Sequence, residues 1–497
     1  MRDKAAVDAA TPLLVTSETS ATLAWARRNA QTVTALAVYG IALGFALAVE
    51  FIQDTWLAIA GGRDIAQHGL PWHERLTVAA HGQSWVDQQW LGKLFLYFTT
   101  TVGGVRLLAL VHIVVMLAAL LAAITVARRR GASDAAVFWV VVAVLPSAPW
   151  GWQLRSQVLA YPLFVAVLAI VTSERLKPST RVLACVPLLV LWANVHGSVT
   201  LGVTLVAAVA AIGVWRVIQD GVTGRRLLTA VATFLLPLGC LFASPYGFHL
   251  LRYYKELLAN PLMSQYVDEW RAPTFRTALI FFALVAVVLW LVARQGRILT
   301  PMERFALLLT TVAGFTTIRG IVWFGLVAIV VVPKLVDKSR SRNVERVSSV
   351  RLVGFAALCV GIALVVLGTR LAQLPRALAV SHPDPAAQIV GNLVTQDPSL
   401  TVFASERYAD WLLWKDPQVS GRLVYDIRFE LFDSKRFAQL ADFHVQGERR
   451  DEIAAGARLL VLDARADALA VRNFADDPGT RVLYRDDNVV VIERAWA

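Results

Sequence analysis

Residues 54–90 read DTWLAIAGGRDIAQHGLPWHERLTVAAHGQSWVDQQW, and their place directly behind the first long apolar run decides how the rest of the chain is read. The stretch carries Asp54, Arg63, Asp64, His68, His73, Glu74, His81 and Asp87, together with Trp56, Trp72, Trp85 and Trp90. Loops longer than about a dozen residues are usually functional or disordered, and this one is too apolar for disorder. Charged and aromatic side chains beside a membrane face read as the roof of a site at the membrane surface.

The flanking sequence supplies the membrane. The 497 residues are 57% hydrophobic and 17% charged, with mean hydropathy +0.57, which is the composition of a membrane protein. A span needs about 20 apolar residues. Such runs lie near 32–52, 104–127, 135–150, 156–173, 181–197, 199–217, 227–244, 277–294, 302–317, 319–336 and 350–369, about eleven in all. Around 192–197 and around 317–320 two alternatives stay open: a pair of spans with a tight turn, or one broken helix. Residues 1–30 read as a cytoplasmic tail without a cleavable signal, so the first span is expected to insert the chain.

Charge supports this count. With the N-terminus inside, the even-numbered links carry Arg128–Arg130, then Arg175, Lys177 and Arg181, then Arg216, Arg225 and Arg226, then Arg294 and Arg297, then Lys334 to Arg346. Each is basic, as cytoplasmic links should be. The same rule accounts for the net charge of +12 without nucleic acid. Cys185, Cys240 and Cys359 are scattered through apolar runs and form neither a disulfide framework nor a metal motif.

Beyond residue 370 the pattern changes to β-rich runs at 400–403, 422–425, 459–463, 482–484 and 489–493. Helical segments alternate with them near 384–395, 406–414, 435–445, 451–457 and 465–475. The fold expected is therefore an α-helical polytopic membrane protein of about eleven helices (membrane domain 31–370, first external loop 53–103) with an extracytoplasmic α/β domain over 371–497. Arg485–Asn488 reads as a hairpin turn, and no glycine-rich phosphate loop is present.

Polar residues at span ends collect on the side opposite the basic links: Asp54, Arg155, Asn194, His196, His249, Asp268, Glu269 and Arg319. Ionisable groups at such places suggest function. Asp54 can act as general base on an acceptor hydroxyl. Capping of the helix that follows is its competing and compatible role, and Asp87, before Gln88-Gln89-Trp90, reads mainly as a cap. Arg155 and Arg319 are candidates for phosphate, which a guanidinium binds bidentately. An interfacial anchor or an ion pair with Asp268 or Glu269 is the alternative. His196 is either a substrate contact or a structural histidine. Trp56 and Trp85 can stack on a sugar ring, and Glu74 can touch substrate. Asp426, Arg428 and Glu430 alternate on one face of a strand end and read as an ion-pair face. The spacing supports neither a zinc site nor a nucleophile elbow.

The Asp-Thr-Trp that ends the first span, GRDIAQHGLP (62–71) and SWVDQQWL (84–91) resemble the first external loop of bacterial polytopic proteins related to GT-C glycosyltransferases. RSQVLAYPLF (155–164), LLVLWANVHGS (188–198) and SPYGFHLL (244–251) look like the same group. So do 409–430 and VLYRDDNVVVIER (482–494) in the terminal domain. The resemblance implies a polyprenyl-phosphate sugar donor, a glycan, lipid or protein acceptor, an external active site in a bacterial cytoplasmic membrane, and an acidic catalytic base at the position of Asp54. Some members need a divalent metal and others do not; the metal-dependent ones carry an Asp-x-Asp that is lacking here, which sets a metal back without removing it. A non-catalytic envelope scaffold is the second reading. A lipid or glycan transporter is the third, set back by the lack of repeats or a midplane charge chain.

Overall fold

The computed structural model describes residues 12–258, 267–339, 349–432, 435–437, 439–440, 454 and 456–495. Helices form at every apolar run named above. They are α1 (Pro12–Ala46), α3 (Trp90–Arg129), α4 (Asp134–Val144), α5 (Ser156–Val171), α6 (Pro178–Val195), α7 (Val199–Gln219), α8 (Arg225–Cys240), α10 (Phe275–Gln295), α11 (Pro301–Thr316), α12 (Ile321–Ser339) and α13 (Ser349–Ser381). Two shorter helices, α2 (Gln53–His68) and α9 (Leu250–Leu258), lie between them. Among the described residues seven helices are long and apolar enough to cross a membrane, and the apolar segments 134–147 and 156–171 are shorter. The chain is a multi-pass membrane protein.

Both open alternatives resolve as two helices with a tight turn: α6 ends at Val195 and α7 begins at Val199, while α11 ends at Thr316 and α12 begins at Ile321. The second turn depends on Gly320, where a Cβ would stand 1.9 Å from the Ala313 carbonyl oxygen. Helix α1 begins at Pro12, within the stretch read as a tail. Helix α3 begins at Trp90 and runs through a kink at Gly103–Gly104, so the end of the expected first loop is helical. The outer faces of the bundle remain apolar, with Phe45, Trp139, Leu228, Phe275 and Leu364 exposed, as lipid contact demands.

The basic links meet at one end of this bundle. Glu303, buried, takes both carboxylate oxygens to Lys334 Nζ at 2.6 Å and one to Arg130 at 3.3 Å. Arg130 also donates to the Thr172 hydroxyl. Helix α5 starts beside Arg155 and ends beside Thr172, so the Arg155 side of the bundle lies at its other end.

The terminal domain adds α14 (Asp384–Gln396), β1 (Val402–Ala404), α15 (Glu406–Lys415), β2 (Leu459–Asp463), α16 (Ala468–Ala475), β3 (Thr480–Arg485) and β4 (Val489–Arg494). The strands form one sheet in the order β1-β2-β4-β3, with β1 parallel to β2 and the other pairs antiparallel. Asp486 closes the expected 485–488 turn by accepting from the amides of Asn488 and Val489. The expected helices at 435–445 and 451–457 fall mostly outside the described residues. The expected strand at 422–425 does not form. Leu423 makes single bridges to Val402 on one side and to Thr77 on the other. The neighbour on that side is the first loop, whose Val78 and Ala79 amides donate to the Leu423 and Val424 carbonyls at 2.7 and 3.0 Å.

The two parts share one core. Trp56 and Ile59 of α2 are packed with Leu374 of α13, Val390 of α14 and Trp411 of α15. Helices α2 and α3 approach closely because Gly62 has no side chain: a Cβ there would stand 2.3 Å from the Lys93 carbonyl oxygen. Arg63 donates to the carbonyls of Leu413 and Trp414 and thereby ties α2 to the C-terminal end of α15, where a cation suits the helix dipole.

Candidate functional site

The first turn of α2 places Asp54. The helix starts at Gln53, and its capping bond runs from the Ile52 amide to the Thr55 hydroxyl at 3.2 Å. Asp54 is therefore not the cap; its carboxylate is free to face the bundle end. Arg155 stands immediately before α5, extended and buried. Arg319 sits in the short 3-10 turn Ile318–Gly320, and Glu269 in another at Asp268–Trp270.

These four groups close an alternating ring. Asp54 Oδ2 accepts from Arg155 at 3.2 Å and from Arg319 at 2.9 Å. Glu269 Oε2 accepts from the same two guanidinium groups, each at 2.6 Å. The Arg319 guanidinium also lies over the Trp270 ring, 5.4 Å from its centre, a favourable cation–π placement. Arg155 donates further to the Trp150 carbonyl at 3.2 Å, and its Nε is buried without a protein partner among the described residues. The Asp54 side chain keeps 29% of its surface exposed.

The ring lines a cavity of about 670 Å³ whose walls also include His196, Trp85, Asp87, Lys93 and Glu430. The terminal domain contributes to those walls, so the roof is shared between the first loop and residues beyond 400.

His196 follows the last turn of α6 and has a defined tautomer. Its Nδ1 accepts from the Ser198 amide at 3.1 Å and lies 2.8 Å from the Ser198 hydroxyl. That hydroxyl itself accepts from the Trp192 indole. In the neutral ring the proton is therefore on Nε2. Burial, together with Arg319 and Arg155, holds the imidazole well below its ordinary range. His196 thus offers a neutral N–H donor beside two cations.

The structure brings Asp54, Arg155, Arg319, His196, Trp85 and Asp87 to one cavity. It does not bring Trp56 or Glu74 there. Trp56 is buried and stacks on Trp414, with ring centres 4.9 Å apart. Glu74 is buried and gives both oxygens to Arg428, while one of them accepts from the amides of Leu76 and Thr77 at 2.6 and 2.9 Å. Asp87 lines the cavity but does not cap α3, whose N-cap is Gln89: Oδ1 accepts from the Gln89 amide at 3.1 Å, and Oδ2 pairs with buried Lys93 at 2.6 Å.

Two groups escaped the sequence reading. Lys93 is a single lysine that no motif marks. Glu430 was grouped with Asp426 and Arg428 on a strand face, but no strand forms there. Asp426 turns back to accept from the amide and side chain of Arg428, and Phe429–Leu431 form a 3-10 turn. Glu430 is left out of that pairing. Burial pushes its carboxyl up to about 7. Among the described residues no group of three or more His, Cys, Asp or Glu is placed to hold a metal ion.

No protein-family model and no curated protein sequence matches this chain. Among solved structures, the chain is similar to the arabinofuranosyltransferase AftD from Mycobacteria, solved by single-particle cryo-EM. The TM-score is 0.51 at 14% identity, covering 94% of this chain and 40% of AftD. The chain thus spans about two-fifths of that protein's length. It is also similar to ArnT from Cupriavidus metallidurans bound to undecaprenyl phosphate, with a TM-score of 0.46 at 13% identity, covering 92% of this chain and 97% of that one. The membrane fold is GT-C-like.

Proposed function

We propose that the protein is a membrane glycosyltransferase that moves a sugar from a polyprenyl-phosphate donor to an acceptor hydroxyl. The transfer takes place on the extracytoplasmic face of a bacterial cytoplasmic membrane. In this reading the N-terminus lies inside, the membrane domain covers 31–370, and the domain over 371–497 lies outside. The observation that carries the reading is the convergence of Arg155 and Arg319, from two distant parts of the chain, on the same two carboxylates at the cavity wall. Two guanidinium groups held this close can bracket one phosphate, and they stand at the end of a lipid-facing bundle.

The ring also suggests how the reaction is ordered. Without donor, Asp54 spends Oδ2 on both arginines. A donor phosphate takes those arginines over, and Asp54 is released to face the acceptor. Asp54 then accepts the acceptor's hydroxyl proton. The acceptor oxygen forms a bond to the sugar's anomeric carbon as the carbon–phosphate oxygen bond breaks. The electron pair leaves on the phosphate, where Arg155, Arg319 and the His196 Nε2–H neutralise it. The step is an inversion at the anomeric carbon.

The test uses purified wild type, Asp54→Asn and Arg155→Ala with undecaprenyl phosphate and a panel of its sugar derivatives. Thermal stabilisation of wild type and Asp54→Asn but not of Arg155→Ala, with transfer by wild type alone, is the expected result. Full complementation of a deletion by Asp54→Asn would instead identify a scaffold.

A further inference from the structure

Other residues lining the cavity have a different chemistry from the arginine ring. Trp85 and Tyr253 meet edge to face there, with ring centres 6.2 Å apart. Lys93 is neutralised by Asp87, and Arg428 by Glu74 and Asp426. Two polar groups lining the cavity stay buried without a protein partner among the described residues, and a carboxyl lies beside them. Gln88 donates its amide to the Ala193 carbonyl at 2.8 Å, which leaves Oε1 buried and unpaired. The Tyr254 hydroxyl is likewise buried and unpaired. The half-buried Glu430 carboxyl accepts from its own backbone amide and makes no ion pair among the described residues. Gln88, Tyr254, Trp85, Tyr253 and Glu430 all line the same cavity.

Buried polar groups without partners are costly, and two of them lining one cavity, both beside Gly197 and with a carboxyl in the same lining, ask for a ligand rich in hydroxyls. Aromatic faces beside them suit the C–H face of a sugar ring. We propose that Gln88, Tyr254 and Glu430, backed by Trp85, form a saccharide subsite, so that the acceptor is the hydroxyl-bearing end of a glycan. This rests on the transferase reading and names the acceptor class for it. Glu430 acts as a positioning residue: it holds a neighbouring sugar hydroxyl, while the reacting one faces Asp54.

The groups that face Glu430 are Tyr253 of α9, Lys93 of α3, and Arg428 and Asp426 of its own segment. With its proton affinity raised into the neutral range by burial, the carboxyl changes between donor and acceptor over pH 6–8. A hydroxyl ligand senses that change.

Saturation-transfer NMR on the full chain in nanodiscs tests the subsite. The probes are methyl glucopyranoside, galactopyranoside, mannopyranoside and arabinofuranoside, with N-acetylserinamide as a hydroxyl that is not a sugar. At least one glycoside is expected to receive saturable magnetisation from wild type. Glu430→Ala should weaken it roughly tenfold and Tyr254→Phe roughly fivefold. Glu430→Gln should keep binding and lose its dependence on pH between 6 and 8, which a merely structural role would not do. Undecaprenyl phosphate should stabilise all of these variants as it does wild type. The proposal is overturned if no glycoside is saturated, if N-acetylserinamide is saturated equally, or if Glu430→Ala binds like wild type. Should undecaprenyl phosphate fail to stabilise even wild type while glycoside binding still needs Glu430, the donor reading falls and the subsite stands.

Discussion

Two ionic clusters sit at opposite ends of the same helices, built from the same kinds of side chain, and they differ in what is left open. At the basic end, Glu303 is sealed: both oxygens accept from Lys334, one more bond comes from Arg130, and a capping bond comes from the Thr300 amide at 2.8 Å. At the other end, Asp54 and Glu269 share two arginines beside a cavity of about 670 Å³, and among the described residues Asp54 commits only one of its two oxygens. A charge cluster reads as structure when every lone pair is used and as a site when some face a space that a ligand can enter.

The comparison is broken or sharpened by substitution. The largest effect is expected on transfer: Asp54→Asn should lower kcat by about 10²–10⁴, the range for a positioned base, with donor binding retained. Arg155→Ala or Arg319→Ala should cost about 10²–10³ in transfer and abolish thermal stabilisation by undecaprenyl phosphate. Lys334→Ala, at the sealed end, should leave turnover of the folded fraction unchanged. Equal loss from Lys334→Ala and Arg319→Ala would erase the distinction.

Stability should show the reverse order. Glu303→Ala leaves Lys334 and Arg130 without their shared counter-charge and should destabilise by about 3–5 kcal/mol, read as a lower Tm. Glu269→Gln, beside water, should lower Tm by less. The smallest effect belongs to Glu430, whose carboxyl is raised from 4.5 to about 7. For a raised carboxyl the stabilising contribution is complete below the unfolded value and is lost as pH rises through the folded one. Wild type should therefore lose stability between about pH 5 and 8 relative to Glu430→Gln. The shift bounds this loss at about 3 kcal/mol, and the partial exposure of the side chain makes the measured loss smaller. A pH-independent difference would remove Glu430 from the argument.

Much of this was legible in the sequence because the bilayer is a strict solvent: apolar runs must be helical, and a charge at their ends must have a reason. Asp54, Arg155, Arg319 and the partner Glu269 could be found that way, since each interrupts an apolar pattern on one side. Glu74 and Trp56 could not be separated from them by the same logic. They lie in the same polar loop, but their burial is decided by Arg428 and Trp414, more than three hundred residues later. Gln88, Tyr254 and Glu430 were illegible for the related reason that none is unusual in its local context. Only their meeting in one cavity lining, two of them buried without a partner among the described residues, distinguishes them. The expected strand at 422–425 failed because its outer neighbour is a loop segment, which pairs through single bridges instead of a ladder.

That pairing across Leu423 also orders events during synthesis. The loop at 73–85 emerges behind the first span, yet the amides of Val78 and Ala79 and the carboxylate of Glu74 find their acceptors and counter-charge only at residues 423–428. The roof cannot settle until more than three hundred further residues have been synthesised. A chain halted between α13 and Leu423 should hold an assembled bundle under an unfinished, protease-sensitive loop, so that the cavity closes only when its last contributor arrives.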